Sequence, residues 1–285
     1  MNILISLTRG YGLGDAVQMS AVLRHIRKHR PDWVVDFQAE VGRETIGYGI
    51  VRNVFVYGEQ YPSSHYDAEV QIVLYDTFAN WHDRPNTRVT SCLHERFSIE
   101  WDRECGSYEI NIPESIVVKL PHKRYVAVHY QGDTAKHNKD LTDEQMLAIC
   151  ELITDAGYMP LHLDWRKAST LGVESVRRLG LSGGYSAAMN CAVIASCVAF
   201  IGIDSGPSKC ASATKTPTLV IWTGHHPSPF HDPAPNTTHL VPVGYHGLEP
   251  VCNDPGVIKF FEANYNVRKY ENLVEAVGLW LKEIL

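Results

Sequence analysis

The sequence predicts a parallel α/β protein built as two domains. Three observations carry that prediction. Short apolar runs rich in β-branched residues alternate with segments of helical period, the pattern of strands buried in parallel sheets between crossover helices. The length of 285 residues, 45% hydrophobic and 20% charged, suits two medium globular domains. The segment "NIPESIVVKLPHK", residues 111 to 123, carries proline near both ends and precedes a fresh strand, so the boundary falls after residue 118.

In the first domain, "NILISL" reads as a buried strand running into the glycine turn "TRGYGLGD". The following helix sets Ala16, Met19, Leu23 and Ile26 at i, i+3 and i+4 spacing, which makes one face core. Its other face carries "RHIRKHR", residues 24 to 30, which reads as a solvated helix face rather than a docking patch. "VVDFQ", "VFVY" and "VQIVLY" follow as strands. Residues 75 to 108 are rich in Trp, His and Arg with weak periodicity, as expected of a long loop that carries specificity. His82 and Arg84 lie within it.

The second domain opens with the strand "YVAVHY", which places His129 near its carboxyl end. Thr134, Lys136 and Lys139 follow in a loop, and Thr142 with Glu144 or Gln145 forms a helix start. Ligands of open α/β sheets sit outside the carboxyl ends of the strands, where two lysines and a threonine suit a diphosphate. "MPLHL" is the next strand. "FIGIDSGPSKCASATKTPTLVIWTG" then reads as strand, tight turn, short helix and strand, with Asp204, Ser205 and Gly206 capping a helix that begins near Pro207. That helix start offers backbone N–H groups to an anion, and Lys209, one turn in, adds a full positive charge. "WTGHHPSPFHDPAP" gathers His225, His226, His231 and Asp232 in a proline-stiffened loop, read as a lid over a ligand in preference to a metal site. The last segment, "YENLVEAVGLWLKEIL", is an amphipathic helix with Leu273, Val277, Trp280 and Ile284 on its apolar stripe.

Composition narrows the function. A formal charge of -6 argues against a general polyanion binder, so nucleic acid is disfavoured as a partner and any basic work must be local. The first residues lack a secretory pattern, and no run of about 18 apolar residues occurs, which predicts a soluble, cytoplasmic protein without a transmembrane segment. Peripheral membrane contact stays compatible with this composition. Seven cysteines without a C-x-x-C pair read as packed thiols in a reducing compartment. The sequon at Asn236 matters only in a secreted protein.

Asp15 is the puzzle of the first turn, because it stands where a dinucleotide-binding turn places its third glycine. A carboxylate there repels a pyrophosphate. Gly10-x-Gly12, with Asp36 further on, fits loosely the fingerprint of an NAD-dependent oxidoreductase, and this reading stays open. Asp15 also reads as an N-cap for a helix starting at Ala16, or as a base facing a substrate held by the other domain.

Taken in order, these motifs resemble those of the heptosyltransferase-like glycosyltransferases, the family 9-like group that builds lipopolysaccharide core and related glycans. "ILISLTRGYGLGDAVQMSAVLRHIRKHRPDWVVDF" is similar to the family's opening strand, turn ending in Gly-Asp, helix and proline before the second strand. "FIGIDSGPSKCASATKTPTLVIWTG" is similar to its Asp-Ser/Thr-Gly turn, small-residue helix, Thr-Pro strand and Gly loop. The resemblance covers most of the chain. It implies a GT-B fold: two Rossmann-like domains facing across a cleft, residues 1–118 for the acceptor and 119–266 for the nucleotide-sugar, with a C-terminal helix, 267–285, crossing back to the first domain. It also implies that Gly14-Asp15 carries the catalytic base, that no metal or other cofactor is needed, and that the family's phosphate-binding lysine maps onto Lys139 or Lys136. Two positions depart from the pattern: Lys209 replaces a histidine of the second turn, and Leu141 replaces a tryptophan after the lysine.

The expectation is therefore an inverting, metal-independent glycosyltransferase. Asp15 serves as base, His129, Thr134, Lys136, Lys139, Asp204, Ser205, Gly206 and Lys209 serve the donor, and Gly12, Gly14, His82 and Arg84 lie on the acceptor side. The donor is a nucleotide diphosphate sugar, and the acceptor a glycan or another hydroxyl-bearing molecule. A non-catalytic nucleotide-sugar binder is the remaining alternative.

Overall fold

The computed structural model describes residues 1–72, 88–105, 108–122, 124–132, 139–165, 168–224, 227–244 and 263–285. His82, Arg84, Thr134, Lys136, His225 and His226 lie outside the described residues. Two parallel sheets organise the chain, and each strand run named in the sequence forms a strand.

The first sheet contains β1 (Asn2–Leu7), β2 (Val34–Ala39), β3 (Asn53–Val56) and β4 (Ala68–Ile72) in the order β3-β2-β1-β4. Strand order therefore reverses at the β1/β4 pair, in register from Ile3 opposite Ala68 to Leu7 opposite Ile72. The turn after β1 leaves from this switch point, where an open sheet splays to leave a crevice. It leads into α1 (Leu13–His29), whose Ala16, Met19, Leu23 and Ile26 are buried as their spacing predicts. Val17, Ala21 and Val22 are buried as well, because α1 is covered on a second side by the other domain. Next among the described residues is α2 (Arg88–Phe97).

The basic run of α1 is matched internally. Arg24 pairs with Glu109 at 2.9 Å, Lys28 with Asp102 at 2.6 Å and Glu104 at 3.0 Å, and Arg30 donates to the carbonyls of Phe97 and Ser98. His25 is buried, donating through Nδ1 to the Ala21 carbonyl and accepting the Asp102 N–H at Nε2. Burial lowers its pKa.

The second sheet contains β5 (Tyr125–His129), β6 (Met159–His162), β7 (Glu174–Ser175), β8 (Ala199–Ile203), β9 (Thr218–Ile221), β10 (Thr237–Pro242) and β11 (Asn266–Tyr270). Their order is β11-β10-β9-β8-β5-β6-β7, so this sheet reverses between β5 and β8. The helices are α3 (Asp143–Asp155), α4 (Ala187–Ala195), α5 (Gly206–Ser212), α6 (Pro227–Phe230) and α7 (Leu273–Ile284). Thr142 caps α3 reciprocally with Gln145: its hydroxyl takes the Gln145 N–H at 3.2 Å and its own N–H goes to the Gln145 side chain at 2.9 Å. Asn236, the sequon residue, donates to the carbonyls of Ala211, Thr214 and Thr216, satisfying the chain just beyond α5.

Two expectations of domain organisation need correction. The terminal helix does not cross back to the first domain. Leu273, Val277, Trp280 and Leu281 of α7 join the core of the second domain, Leu152 of α3 packs over Gly278, and Tyr158 donates to the Leu285 carbonyl. The connection from β11 to α7 is only Glu271 and Asn272, which leaves the helix on the face of its own sheet. A boundary at 266/267 is likewise misplaced, since it would cut β11 from the sheet it edges. β7, β10 and β11 are also absent from the sequence reading. "NVRKY" is a charged edge strand and "TTHLVP" begins with polar residues, so neither shows the apolar run of a central strand.

Among the described residues no helix is long and apolar enough to cross a membrane. The cysteines among them are buried free thiols.

Candidate active site

The two switch points face each other. Gly14, in the first turn of α1, lies so close to the start of α5 that a Cβ there would sit 3.4 Å from Gly206 Cα and 3.3 Å from Lys209 Cδ. A Cβ on Gly206 would come within 2.8 Å of Leu13 Cβ. Gly206 is therefore restricted to glycine by the approach of the domains, while a side chain at Gly14 would press on Lys209. Around this contact opens a cleft of about 790 Å³, with Gly10 to Asp15, Arg43 and Arg88 on one wall and His129, Lys139, Asp204 to Pro207 and Lys209 on the other.

Helix α1 begins at Leu13 with Gly12 as its N-cap, so Asp15 is the third residue of the helix and not the cap of a helix starting at Ala16. Its carboxylate does half of a capping job: Oδ2 accepts the Gly12 N–H at 3.2 Å. Oδ1 accepts from Arg88 Nη1 at 2.7 Å. The Arg88 guanidinium lies 4.9 Å from the ring centre of Phe230, a second-domain residue. Arg88 stands 73 positions from Asp15 in a stretch with several cations, and nothing local in the sequence singles it out.

On the opposite wall, His129 ends β5 beside Gly202 of β8. Gly132 and Lys139 lie beyond the end of this strand; Asp140 accepts the Gly132 N–H at 2.8 Å and the Lys139 side chain lies against Gly132. Ser205 caps α5, with Ser208 accepting the Ser205 N–H at 3.1 Å and donating to its carbonyl at 2.8 Å. Lys209 lines the cleft and is held by a neighbour. Its side chain is 6% exposed and its Nζ donates to Asp204 Oδ1 at 2.7 Å, so it is one half of a buried ion pair. Burial pushes the Asp204 carboxyl up, but Lys209 and then Lys139 overcome this and leave it below its ordinary value. Leu141 is buried in the second-domain core, not at the cleft.

The histidine loop is corrected as well. His231 and Asp232 are fully buried, which rules them out as an exposed lid. The His231 ring packs against Tyr108, Trp222 and His239, and the hydroxyl oxygen of buried Tyr108 accepts the Asp232 N–H at 2.6 Å. Tyr265 donates to the His231 carbonyl. Burial and then Lys209 push the His231 imidazole down to about 4. The metal-like grouping among the described residues is elsewhere: ligand atoms of His29, Asp102 and Cys105 lie within 4.8 Å of one another. That group sits at the far end of α1, about 20 Å along the helix from Asp15, and its Asp102 is held by Lys28.

Asp36 is unsuited to a nucleotide ribose. It lies inside β2, 1% exposed, and accepts from Arg52 at 3.0 and 2.7 Å, from the Asn53 N–H at 3.0 Å and from Tyr66 at 2.6 Å. This removes the acidic partner that the oxidoreductase reading requires.

Among the described residues, the cleft thus unites Gly12, Gly14, Asp15, His129, Lys139, Asp204, Ser205, Gly206 and Lys209. No protein-family model matches the sequence, and no curated protein matches it either. Solved structures do resemble the fold. An E. coli structure described as ADP-heptose LPS heptosyltransferase II aligns over 99% of this chain and 100% of its own, with a TM-score of 0.67 at 12% identity. A glycosyl transferase family 9 structure from Veillonella parvula aligns over 99% of this chain and 96% of its own, with a TM-score of 0.66 at 12% identity. The iron-containing dodecameric glycosyltransferase TibC from enterotoxigenic E. coli aligns over 82% of this chain and 61% of its own, with a TM-score of 0.58 at 17% identity. The chain therefore has the two-domain GT-B fold of these glycosyltransferase structures.

Proposed function

We propose that the protein is an inverting glycosyltransferase that moves a sugar from a nucleotide diphosphate to an acceptor hydroxyl. One observation carries the reading: a carboxylate of the first domain, Asp15, lines the same cleft as Lys139 and the Asp204–Gly206 turn at the switch point of the second, with Gly14 beside Gly206. In this mechanism Asp15 takes the proton of the acceptor hydroxyl as its oxygen attacks the anomeric carbon. The bond from that carbon to the diphosphate breaks on the opposite face, and the electron pair leaves with the phosphate oxygen. Lys139, close enough to lower the pKa of Asp204, and the Ser205–Gly206 turn meet the negative charge that develops there. Lys209 contributes by fixing Asp204. The opening puzzle is thus answered in this reading: Asp15 is set against the acceptor, and phosphate belongs to the facing domain.

We propose further that this charge stabilisation is achieved by lysine and backbone N–H groups without a metal ion. The experiment is nucleotide release from a panel of ADP-, UDP-, GDP- and CMP-linked sugars, ADP-heptose first, with and without glycan acceptors. Acceptor-dependent release from one donor is expected. Stabilisation by NAD alone, with no response to any nucleotide sugar, would refute the reading.

A further inference from the structure

Arg88 shares the first-domain wall with Asp15 and Arg43, and its placement is not explained by helix stability. It is the first residue of α2, where the helix dipole disfavours a cation. Its side chain is 6% exposed, and its charge is matched by Asp15, 15% exposed, at 2.7 Å. The guanidinium also stacks on Phe230 from the facing domain. Arg88 therefore meets the proposed base through an N–H of its edge and the second domain through its face.

Two consequences follow from this geometry. With Oδ1 held by Arg88 and Oδ2 by the Gly12 N–H, the plane of the Asp15 carboxylate is fixed, and each oxygen retains a further lone pair for a hydroxyl. Second, Gly14 touches Gly206, so the Asp15 charge stands beside the place proposed for the diphosphate. Arg88 cancels that charge where it would repel the donor. We propose that Arg88 is a positioning residue which orients Asp15 and screens it from the diphosphate, itself held against the second domain by Phe230. This rests on the reading of Asp15 as the base.

The test is a double-mutant cycle read by binding as well as turnover. Wild type, Arg88→Met, Asp15→Asn and the double variant are titrated with ADP, UDP, GDP and CMP by calorimetry, after thermal melts confirm folding. Arg88→Met is expected to weaken binding of the preferred nucleotide about tenfold with Asp15 present, the scale of one uncompensated charge nearby, and less than about threefold in the Asp15→Asn background. Arg88→Lys, which keeps the charge but not the planar fork, should bind normally and lose turnover by about 10²-fold, as misplacement of a reacting group does. It also serves if Arg88→Met fails to fold. Equal weakening in both backgrounds would make Arg88 a direct ligand and overturn the inference; so would unchanged binding with full turnover in Arg88→Lys. A fully active Asp15→Asn protein would defeat the base reading separately, leaving the binding cycle to decide the screening. A wild type that binds none of these nucleotides overturns both.

Discussion

Replacing Lys209 by methionine would remove the ammonium that compensates Asp204 while keeping most of the side chain's bulk. The Asp204 side chain is 8% exposed, and its ion-pair partner lies at 2.7 Å. Breaking such a pair leaves a buried charge uncompensated, a loss of about 3 to 5 kcal/mol, moderated here by nearby Lys139. The pH dependence separates this cause from a simple packing defect. In the intact protein Asp204 lies below its ordinary carboxyl value, so its contribution is present above the unfolded value and is lost as pH falls through the folded one. In Lys209→Met, burial dominates and raises the folded value, so the variant carboxyl takes up a proton as pH falls. The destabilisation relative to wild type should therefore be largest near pH 7 and shrink toward pH 4. Urea unfolding at several pH values measures it, and Asp204→Asn in the same chain should restore most of the loss. A cost under about 1 kcal/mol, or one that is constant with pH, would refute the reasoning.

Three further outcomes are expected. Burial lowers His162 and His231 to about 4, so the unfolded chain binds protons that the folded one refuses; stability should fall by roughly 1.4 kcal/mol per pH unit for each histidine between about pH 6.5 and 4, and urea curves flat across that window would contradict this. Gly206→Ala places a Cβ 2.8 Å from Leu13 Cβ and 3.1 Å from the Gly14 nitrogen, so it should cost about 1 to 3 kcal/mol of overpacking and lower nucleotide affinity, checked by melting and calorimetry. Treatment with EDTA should leave transfer unchanged; activity that vanishes and returns with one added metal would overturn the metal-independent mechanism.

The strands and helix faces were legible wherever burial imposes a period. "NILISL" and "CVAFIGI" are apolar because both faces of a parallel sheet are covered, and the Thr142–Gln145 cap is a local hydrogen-bond pattern. The same holds for the two glycine turns, each of which leaves its sheet at the point where strand order reverses. Long-range partnerships were not legible. Nothing within a few residues of Asp15 indicates Arg88, and the turn sequence does not reveal that Asp204 holds the Lys209 ammonium. The destination of α7 is not legible for a related reason: an amphipathic stripe requires cover but does not specify which sheet supplies it. His231 and Asp232 look like loop residues because proline surrounds them, yet Tyr108, Trp222 and Tyr265 enclose them from distant parts of the chain.

The central claim is that Asp15 removes a proton during transfer, and Asp15→Asn tests it most directly. Asparagine keeps the size of the side chain and an oxygen for Gly12 or Arg88, but weakens the charged pair, so a stability loss of about 1 to 3 kcal/mol is expected. The decisive quantity is the transfer rate at saturating donor, measured well below the melting temperature so that the variant is fully folded. The account predicts a fall of about 10² to 10⁴ with nucleotide binding retained. A destabilised variant that transfers sugar at the wild-type rate would reduce Asp15 to a helix-capping, ion-paired residue and contradict the mechanism.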